Sequence, residues 1–346
     1  MTGMLLARHP FFSALTPDIL EVATRIVRPA SYQDGEILFL QGAAAESVIF
    51  IMQGRVLIRA QIPGGGEEAL ATLQSGEVVG ELGLMQEHRR AASAQAVGRV
   101  EVAIMDRNDL FALCATYHPA SLHLMQRLAE ITARRLRNTT ERAAHLVVNS
   151  PQQAMSGIDG VQAGAHFEFE PFLSQLAFFR AFTEEERLEF VAMCEAVTVS
   201  QGCRIREPGD EDRSLYIILR GAVQTCLVTP DGIMRTGTLG PGRAFGDVGW
   251  MLARGIPVCV NAVSLCTCLR LPASSRDRLS DPSSRLSFRF HQGILESLQV
   301  KLDSQSRDFA RRKQILASGA RRWQSGHSHP TLKEAQGEAI DGKEES

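Results

Sequence analysis

The feature that most constrains this chain is an internal duplication. "FFSALT" at residues 11–16 returns as "FFRAFT" at 178–183, and "ESVIFIMQGRV" at 46–56 returns as "RSLYIILRGAV" at 213–223. Both matches carry a shift of 167 residues, which also maps Gly42 onto Gly209 and Gly54 onto Gly221. "VGELGLM" at 79–85 meets "FGDVGWM" at 245–251 at a shift of 166. A repeat of that length is a whole domain, far longer than the roughly 20–45 residues of a solenoid unit. Any fold for this chain must therefore be one that two copies of a domain-sized unit can each adopt.

Within each copy the pattern is a short helix, a run of short strands and then long helices. Residues 48–59 and 215–228 are β-branched and aliphatic with alternating polar positions, and "PGGGEE" at 63–68 and "TPDGIM" at 229–234 have hairpin-turn chemistry. Short strands with glycine at the corners point to a small barrel or jelly roll. Residues 107–148 and 274–317 carry helical spacing instead, as at Leu124, Leu128 and Ile131. The expected fold class is α+β: two β-roll (jelly-roll) domains, each with flanking helices and a long C-terminal helix. The copies span residues 10–148 and 177–317. Residues 149–166, "NSPQQAMSGIDGVQAGAH", are poor in large apolar side chains and read as a flexible linker. Residues 318–346 are polar and aperiodic and read as a disordered tail, in which His327 and His329 are solvated rather than metal ligands.

Composition excludes several classes. A formal charge of -2 supplies no global field toward nucleic acid or an anionic membrane. The first residues lack the pattern of a signal peptide, and no run approaches the roughly 18 apolar residues of a membrane span, so a cytoplasmic chain without membrane contact is expected. The seven cysteines contain no C-x-x-C pair and read as reduced, buried thiols. There is no G-x-S-x-G, P-loop or H-E-x-x-H motif, so binding rather than catalysis is expected, with no metal or cofactor.

The informative stretch is "VVGELGLMQEHRRAASAQA", residues 79–97, which sets Glu81 and Arg90 nine positions apart among small residues. Gly80 lets backbone come close to a guest and opens a short helix whose unpaired N–H groups suit an anion. Arg90 can add a forked, charge-assisted pair of hydrogen bonds to a phosphate. Glu81 cannot face that phosphate favourably and in this geometry accepts from a neighbouring hydroxyl, as a carboxylate does from a ribose. Ribose plus phosphate is a nucleotide. A Glu–Arg surface ion pair beside a helix start, worth at most about 1 kcal/mol, accounts for the same spacing.

The wider pattern, "GELGLM" followed by "RAA" at residues 80–92 and preceded by "GEILFLQGAAAESVIFIMQGRV" at 35–56, resembles the phosphate-binding cassette of the cyclic-nucleotide-binding domain family. That family includes Crp/Fnr-type catabolite activators and the regulatory subunits of cyclic-AMP-dependent protein kinase. The resemblance implies backbone contacts from Gly80 and Leu82, a ribose 2′-hydroxyl held by Glu81, and a cyclic phosphate bound by Arg90 with help from Ala91. Gly83 and Ala92 complete the cassette. A proline commonly precedes the arginine in the family, and Arg89 stands there in this chain. "RRLRNTTERAAHL" at 134–146 resembles the helix with which catabolite activators cover the base, with Thr139 and Thr140 where adenine-contacting hydroxyls would fall. The same two threonines read equally as plain surface positions. They and Ala91 favour cyclic AMP as ligand, with cyclic GMP the alternative.

The second copy departs from the pattern. "FGDVGWMLARGIPVCVNA" at 245–262 keeps Gly246 but has Asp247 in place of Glu81. Nine residues on lies Ile256, and a loop two residues longer puts Val258 there, so neither alignment supplies an arginine; Arg254 reads as solvent-facing. Losing a phosphate's charged partner costs about 2–5 kcal/mol, roughly 30-fold to several-thousand-fold in affinity. The second copy is therefore expected to bind cyclic nucleotides weakly or not at all. The reading is of a sensor that binds ligand in the first copy and signals through the covering helix, residues 122–148, to the second copy or to an unknown protein partner. DNA binding is disfavoured, because the stretches after each covering helix do not read as a helix-turn-helix. A kinase-inhibiting role is disfavoured too, since ten residues precede Phe11. A Crp/Fnr-like transcription regulator lacking its own helix-turn-helix and a ligand-free scaffold are the alternatives. The long helices are free to pair within one chain, as a pseudo-dimer, or across two, as a homodimer.

Overall fold

A computed structural model describes residues 3–61, 66–81, 89–116, 118–144, 161–163, 170–229 and 232–325. Short helices α1 (Gly3–Leu6), α2 (Pro10–Ser13) and α3 (Pro17–Ile26) open the first copy. Pro10 and Pro17 stand in the first turns of α2 and α3, where a missing N–H costs nothing. The first roll comprises β1 (Val27–Tyr32), β2 (Ile37–Phe39), β3 (Ser47–Gln61), β4 (Glu67–Gln74), β5 (Val78–Val79) and β6 (Ser93–Asp106). They form an antiparallel sheet in the order β1-β6-β3-β4, with β2 added to β6 and β5 to β3. The two-residue alternation of β3 splits its side chains between two cores. Ile49 and Ile51 fill the roll with Val79, Val102 and Ile104, while Val48 and Phe50 face the helices with Phe11, Phe12 and Met105.

The helical stretch of the first copy is α4 (Arg107–Ala115) and α5 (Pro119–Ala144). Sequence periodicity reads 107–148 as helical throughout, but Pro119 cannot sit inside a helix and instead opens a new one. The second copy contains β7 (Val161–Ala163), α6 (Glu184–Val191), β8 (Glu195–Val199), β9 (Arg204–Arg206), β10 (Leu215–Arg220), β11 (Val223–Thr229), β12 (Gly232–Leu239), β13 (Ala244–Phe245), α7 (Asp247–Leu252), β14 (Cys259–Ala262), β15 (Cys266–Leu271) and α8 (Arg285–Ser325). Its strands form two sheets, β13-β10-β15-β8-β7 and β12-β11-β14-β9. The fold class expected from sequence, α+β with two β-rolls each followed by a long helix, is the fold observed.

Two stretches differ from their sequence reading. Residues 161–163, inside the expected linker, form β7 on the edge of β8, with Val161 opposite Val199. Edge pairing satisfies backbone groups and needs no large side chain, so side-chain composition does not reveal it. Residues 318–325, inside the expected disordered tail, continue α8. Polarity there speaks against burial and not against helix, for which alanine, arginine and glutamine are well suited.

The halves share one core. Leu128, Ala129 and Leu136 of α5 lie in the same apolar cluster as Leu295, Leu298 and Leu302 of α8, with Trp250 and Phe290 alongside. Gln126 Nε2 donates to His291 Nε2 at 3.4 Å, and the Thr140 hydroxyl lies 2.8 Å from Gln305 Oε1. Both contacts have a separation of 165 residues. The helices are thus parallel, with equivalent positions of the two copies facing each other. None of the seven cysteines is in a disulfide; five are buried, and Cys194 and Cys203 are half-buried. Among the described residues no helix is long and apolar enough to cross a membrane, and no group of three His, Cys, Asp or Glu side chains is placed to hold a metal.

Candidate functional site

β5 delivers the first cassette. Gly80 follows it at φ +86°, and a Cβ there would collide with the Arg90 guanidinium and approach Ser47 O to 3.2 Å, so the position needs glycine for conformation and space together. The chain returns at Arg90, which is clamped to the turn after β2: Arg90 N donates to Ala43 O at 2.8 Å, and Gly42 N donates to Arg90 O at 2.9 Å. Arg89, where the family commonly has proline, pairs with Ala44 in an isolated bridge and donates from its guanidinium to Gly42 O at 2.8 Å.

Glu81 and Arg90 are both buried, at 2% and 6% exposure, which removes the surface ion-pair explanation of their spacing. Nor do they pair with each other. Arg90 Nη1 donates to Gly80 O at 2.9 Å, Nη2 donates to Ser47 Oγ at 3.2 Å, and the guanidinium lies 4.1 Å from the centre of the Phe39 ring. Its Nε has no hydrogen-bond partner, and among the described residues no carboxylate forms an ion pair with it. Burial holds its pKa below the usual arginine value, opposed by the more distant charges of Glu81 and Glu46.

The Glu81 carboxylate is instead paired with Arg135 of α5, which also donates to Val78 O. From the other copy, Gln299 Nε2 of α8 donates to the Glu81 carbonyl at 2.6 Å. Of the sequence-derived candidates, Gly80, Glu81 and Arg90 come together, with Ala91 and Ala92 half-buried beside Arg90. Leu82 and Gly83 lie outside the described residues. Thr140 is buried and lines a cavity in the second roll, and half-buried Thr139 lines an adjoining cleft with Met234 and Arg235. The structure therefore brings these two threonines to the second copy, and Thr140 is no plain surface position.

The second cassette repeats the frame with other groups. Gly246 has φ +83°, and a Cβ on it would stand 2.5 Å from Ser214 O. Asp247 accepts from Lys301 Nζ at 2.5 Å and Ser297 Oγ at 3.0 Å. The shift of 166 that maps Glu81 onto Asp247 also maps Arg135 onto Lys301, so the two ion pairs are equivalents. Gly209 N donates to Ile256 O at 2.9 Å, as Gly42 N does to Arg90 O. Ile256, 4% exposed, is thereby fixed as the residue standing where Arg90 stands, and Arg254 is exposed.

A buried guanidinium is nonetheless present. Arg206, at Phe39's place, is 2% exposed and reaches toward Ser214, the counterpart of Ser47: Nη1 donates to Ser214 O at 3.4 Å. Its Nε donates to Asp210 Oδ2 at 2.7 Å, Nη1 lies 3.7 Å from Asp212 Oδ2, and Nη2 donates to Asp212 O. Sequence reasoning missed Phe39, Ser47, Arg135, Gln299, Arg206 and Lys301. For Arg135 and Lys301 a signal existed, because the repeat shift superposes two cations just as it superposes two carboxylates.

Comparison with known proteins fits this geometry. The sequence profile described as the cyclic nucleotide-binding domain matches residues 29–117 and 196–281, half of the chain. The Cyclic AMP receptor protein of Thermus thermophilus is 34% identical over 128 residues, covering 37% of this chain and 57% of that protein. The CRP-like cAMP-activated global transcriptional regulator of Mycobacterium tuberculosis is 28% identical over 143 residues, covering 41% and 62%. The chain thus spans about six tenths of the length of these curated relatives. The cAMP-bound regulatory domain of Toxoplasma gondii PKA aligns over 81% of this chain and 90% of that one, with 15% identity and a TM-score of 0.31. Two rolls, two glycine elbows each followed by a buried carboxylate, and a profile matched once in each copy establish that this chain belongs to the cyclic nucleotide-binding domain family, which it carries in tandem.

Proposed function

We propose that the first domain binds a cyclic nucleotide, cyclic AMP in preference to cyclic GMP, and that the chain is a regulatory protein passing occupancy of that site to its second domain or to a protein partner. One observation carries the reading: the Arg90 guanidinium is buried without an anionic partner among the described residues and with an unused Nε. A buried cation in that state costs several kcal/mol, and an anion with several acceptor oxygens offsets the cost. Half-buried Ala91, carrying no hydroxyl for a guanine, supports the adenine nucleotide.

A route for the signal follows from what Glu81 now holds. A ribose hydroxyl donating to Glu81 competes with Arg135 of α5. Two residues along α5, Arg137 Nη1 donates to Gly255 O in the second cassette at 3.0 Å. Ligand binding that loosens Arg135 biases the placement of α5, and α5 is packed on the second copy.

Calorimetric titration of cyclic AMP and cyclic GMP into the intact chain and into Arg90→Leu tests this. The expected result is one site with micromolar or better affinity for cyclic AMP, absent from the variant. No heat with either nucleotide at several temperatures, together with an unchanged melting temperature, overturns the reading in favour of a scaffold. Salt-sensitive binding to duplex DNA would point to a transcription regulator.

A further inference from the structure

Five of the seven cysteines lie between residues 203 and 268, and two of them face each other. In the antiparallel ladder of β11 and β14, Cys226 stands directly opposite Cys259. Directly opposed residues of such a ladder have Cα atoms about 4.5–5.5 Å apart, inside the range that a disulfide spans. Val223, Val260 and Ala262 of the same strands lie in the apolar core of the roll, so the two-residue alternation turns Cys226, Cys259 and Asn261 to the other face of the sheet. In the first copy that place is held by Arg59 and Ser93, themselves opposed across β3 and β6 and both half-buried. The face is therefore an outer one, and the thiol pair belongs to the second copy without being required by the fold.

The groups around the two sulfurs suit a thiolate. Asn261 is buried in mid-strand, where asparagine is unfavourable, and its Nδ2 donates to Cys259 Sγ at 3.7 Å and to Cys226 Sγ at 4.0 Å. Its Oδ1 has no hydrogen-bond partner, so the amide is committed to the sulfurs. Arg204 of β9 stands opposite Asn261, and Arg235 of β12 stands opposite Cys226, so an arginine flanks the pair on each side. Arg204 also pairs with Glu207 at 3.0 Å. The hydrogen bond from Cys226 holds the Cys259 thiol below the ordinary thiol value, with Asn261 and Arg204 adding to the effect and burial opposing it. The same bond, together with burial, pushes Cys226 up. One sulfur is thus set as the nucleophile and the other as the thiol that resolves it, while the arginines and the amide N–H disfavour a metal cation in their place.

We propose that Cys226 and Cys259 form a redox-active pair that a hydroperoxide converts reversibly into a cross-strand disulfide. The Cys259 thiolate attacks the peroxide, the O–O bond breaks, the leaving oxygen takes a proton from solvent, and Cys259 becomes a sulfenic acid. The Cys226 sulfur then attacks the Cys259 sulfur, the S–O bond breaks, and the hydroxyl leaves as water with the Cys226 proton. The pair is oxidised by two electrons and the peroxide is reduced by two. A dithiol reductant reverses the step by thiol–disulfide exchange. None of this depends on the ligand assigned to the first domain. Cys266 and Cys268 also approach to 3.5 Å, but they are neighbours on one face of a single strand, about 6.6 Å apart along it, and lie in the apolar core. They serve as the internal control.

The test exposes the reduced full chain to a small molar excess of hydrogen peroxide, quenches it with an alkylating reagent and maps the cysteines by peptide mass spectrometry. The expected result is loss of two hydrogens per chain, a linked peptide joining Cys226 to Cys259, unlinked Cys266 and Cys268, and recovery of both thiols with dithiothreitol. Cys226→Ser should leave Cys259 as a sulfenic acid that dimedone labels, and Cys259→Ser should leave Cys226 a thiol. Asn261→Leu, which removes the amide donor at similar volume, should slow formation of the link several-fold. Oxidation of half-buried Cys194 or Cys203 ahead of this pair overturns the proposal, as does a link that forms only in denaturant. A pair that resists peroxide and takes up one silver ion per chain also overturns it, and makes the place a soft-metal site. The mass map of the unaltered chain decides the matter even where a variant fails to fold.

Discussion

Among the described residues each copy of the repeat buries one guanidinium beside an equivalent serine, Ser47 in the first and Ser214 in the second, and the two are treated in opposite ways. Arg90 enters from the far side of the cassette, lies on Phe39, and has no carboxylate against it among the described residues. Arg206 enters from the strand where Phe39 stood, leaves Ile256 in Arg90's place, and has Asp210 and Asp212 within 4 Å. The first arrangement is incomplete until an anion arrives; the second is complete within the chain. Which partner a buried charge has, and not whether a charge is present, separates a binding group from a structural one.

The comparison breaks most sharply on Arg90. Arg90→Leu should cost cyclic AMP about 2–5 kcal/mol, at least 30-fold in affinity by titration, while leaving the melting temperature of the unliganded chain level or raised. A large drop in unliganded stability would show that Arg90 is structural after all. The helix pair carries the next effect. His291, buried on α8 with its Nδ1 2.9 Å from Ser287 O and Gln126 at its Nε2, is held down to about pKa 4 by burial, with nearby His123 adding to the depression and the Ser287 carbonyl opposing it. The unfolded chain then takes up this proton first, so the stabilisation is whole above pH 6.5 and is lost as pH falls toward about 4, on the order of 3 kcal/mol in full. Denaturant unfolding at pH 7 and pH 4.5 should show the loss, and His291→Gln should shrink it; position 125 in the first copy is methionine, which takes up no proton.

Arg206→Leu should then destabilise the unliganded chain by about 2–3 kcal/mol in urea unfolding, less than for a fully buried pair because both aspartates are about 31% exposed. It should leave cyclic AMP affinity within threefold. The smallest effect sharpens the comparison rather than breaking it: Arg135→Ala frees the Glu81 carboxylate and should tighten cyclic AMP by up to about tenfold, near 1.4 kcal/mol, with Lys301→Ala leaving that affinity unchanged.

The duplication, the roll-then-helix order and the loss of Arg90's counterpart were legible in the sequence because each is a local pattern seen twice, while the choice between Ile256 and Val258 for that place needed the hydrogen bond from Gly209 N to Ile256 O. What joins distant segments was not. Arg135 lies 54 residues from Glu81, and Gln299 lies 218 residues from it, with nothing in composition to connect them. Arg206 was hidden differently: the repeat alignment looks for a missing arginine where Arg90 stood, while the guanidinium returns from another strand. Thr140 matched a base-contacting position by resemblance, yet in a chain whose two long helices run side by side, its hydroxyl bonds Gln305 of α8 and the residue lines the cavity of the neighbouring roll.

Those helices are tethered in one polypeptide, and this changes what dilution and mutation can do to them. Partners joined by a linker meet at an effective concentration set by the tether and not by the amount of protein present, so the seam between α5 and α8 does not come apart as the chain becomes scarce. A seam between separate identical subunits would also receive every substitution twice. Here a change at position 140 leaves position 305 untouched, so each side of one interface is able to evolve, or be engineered, without its mirror image following.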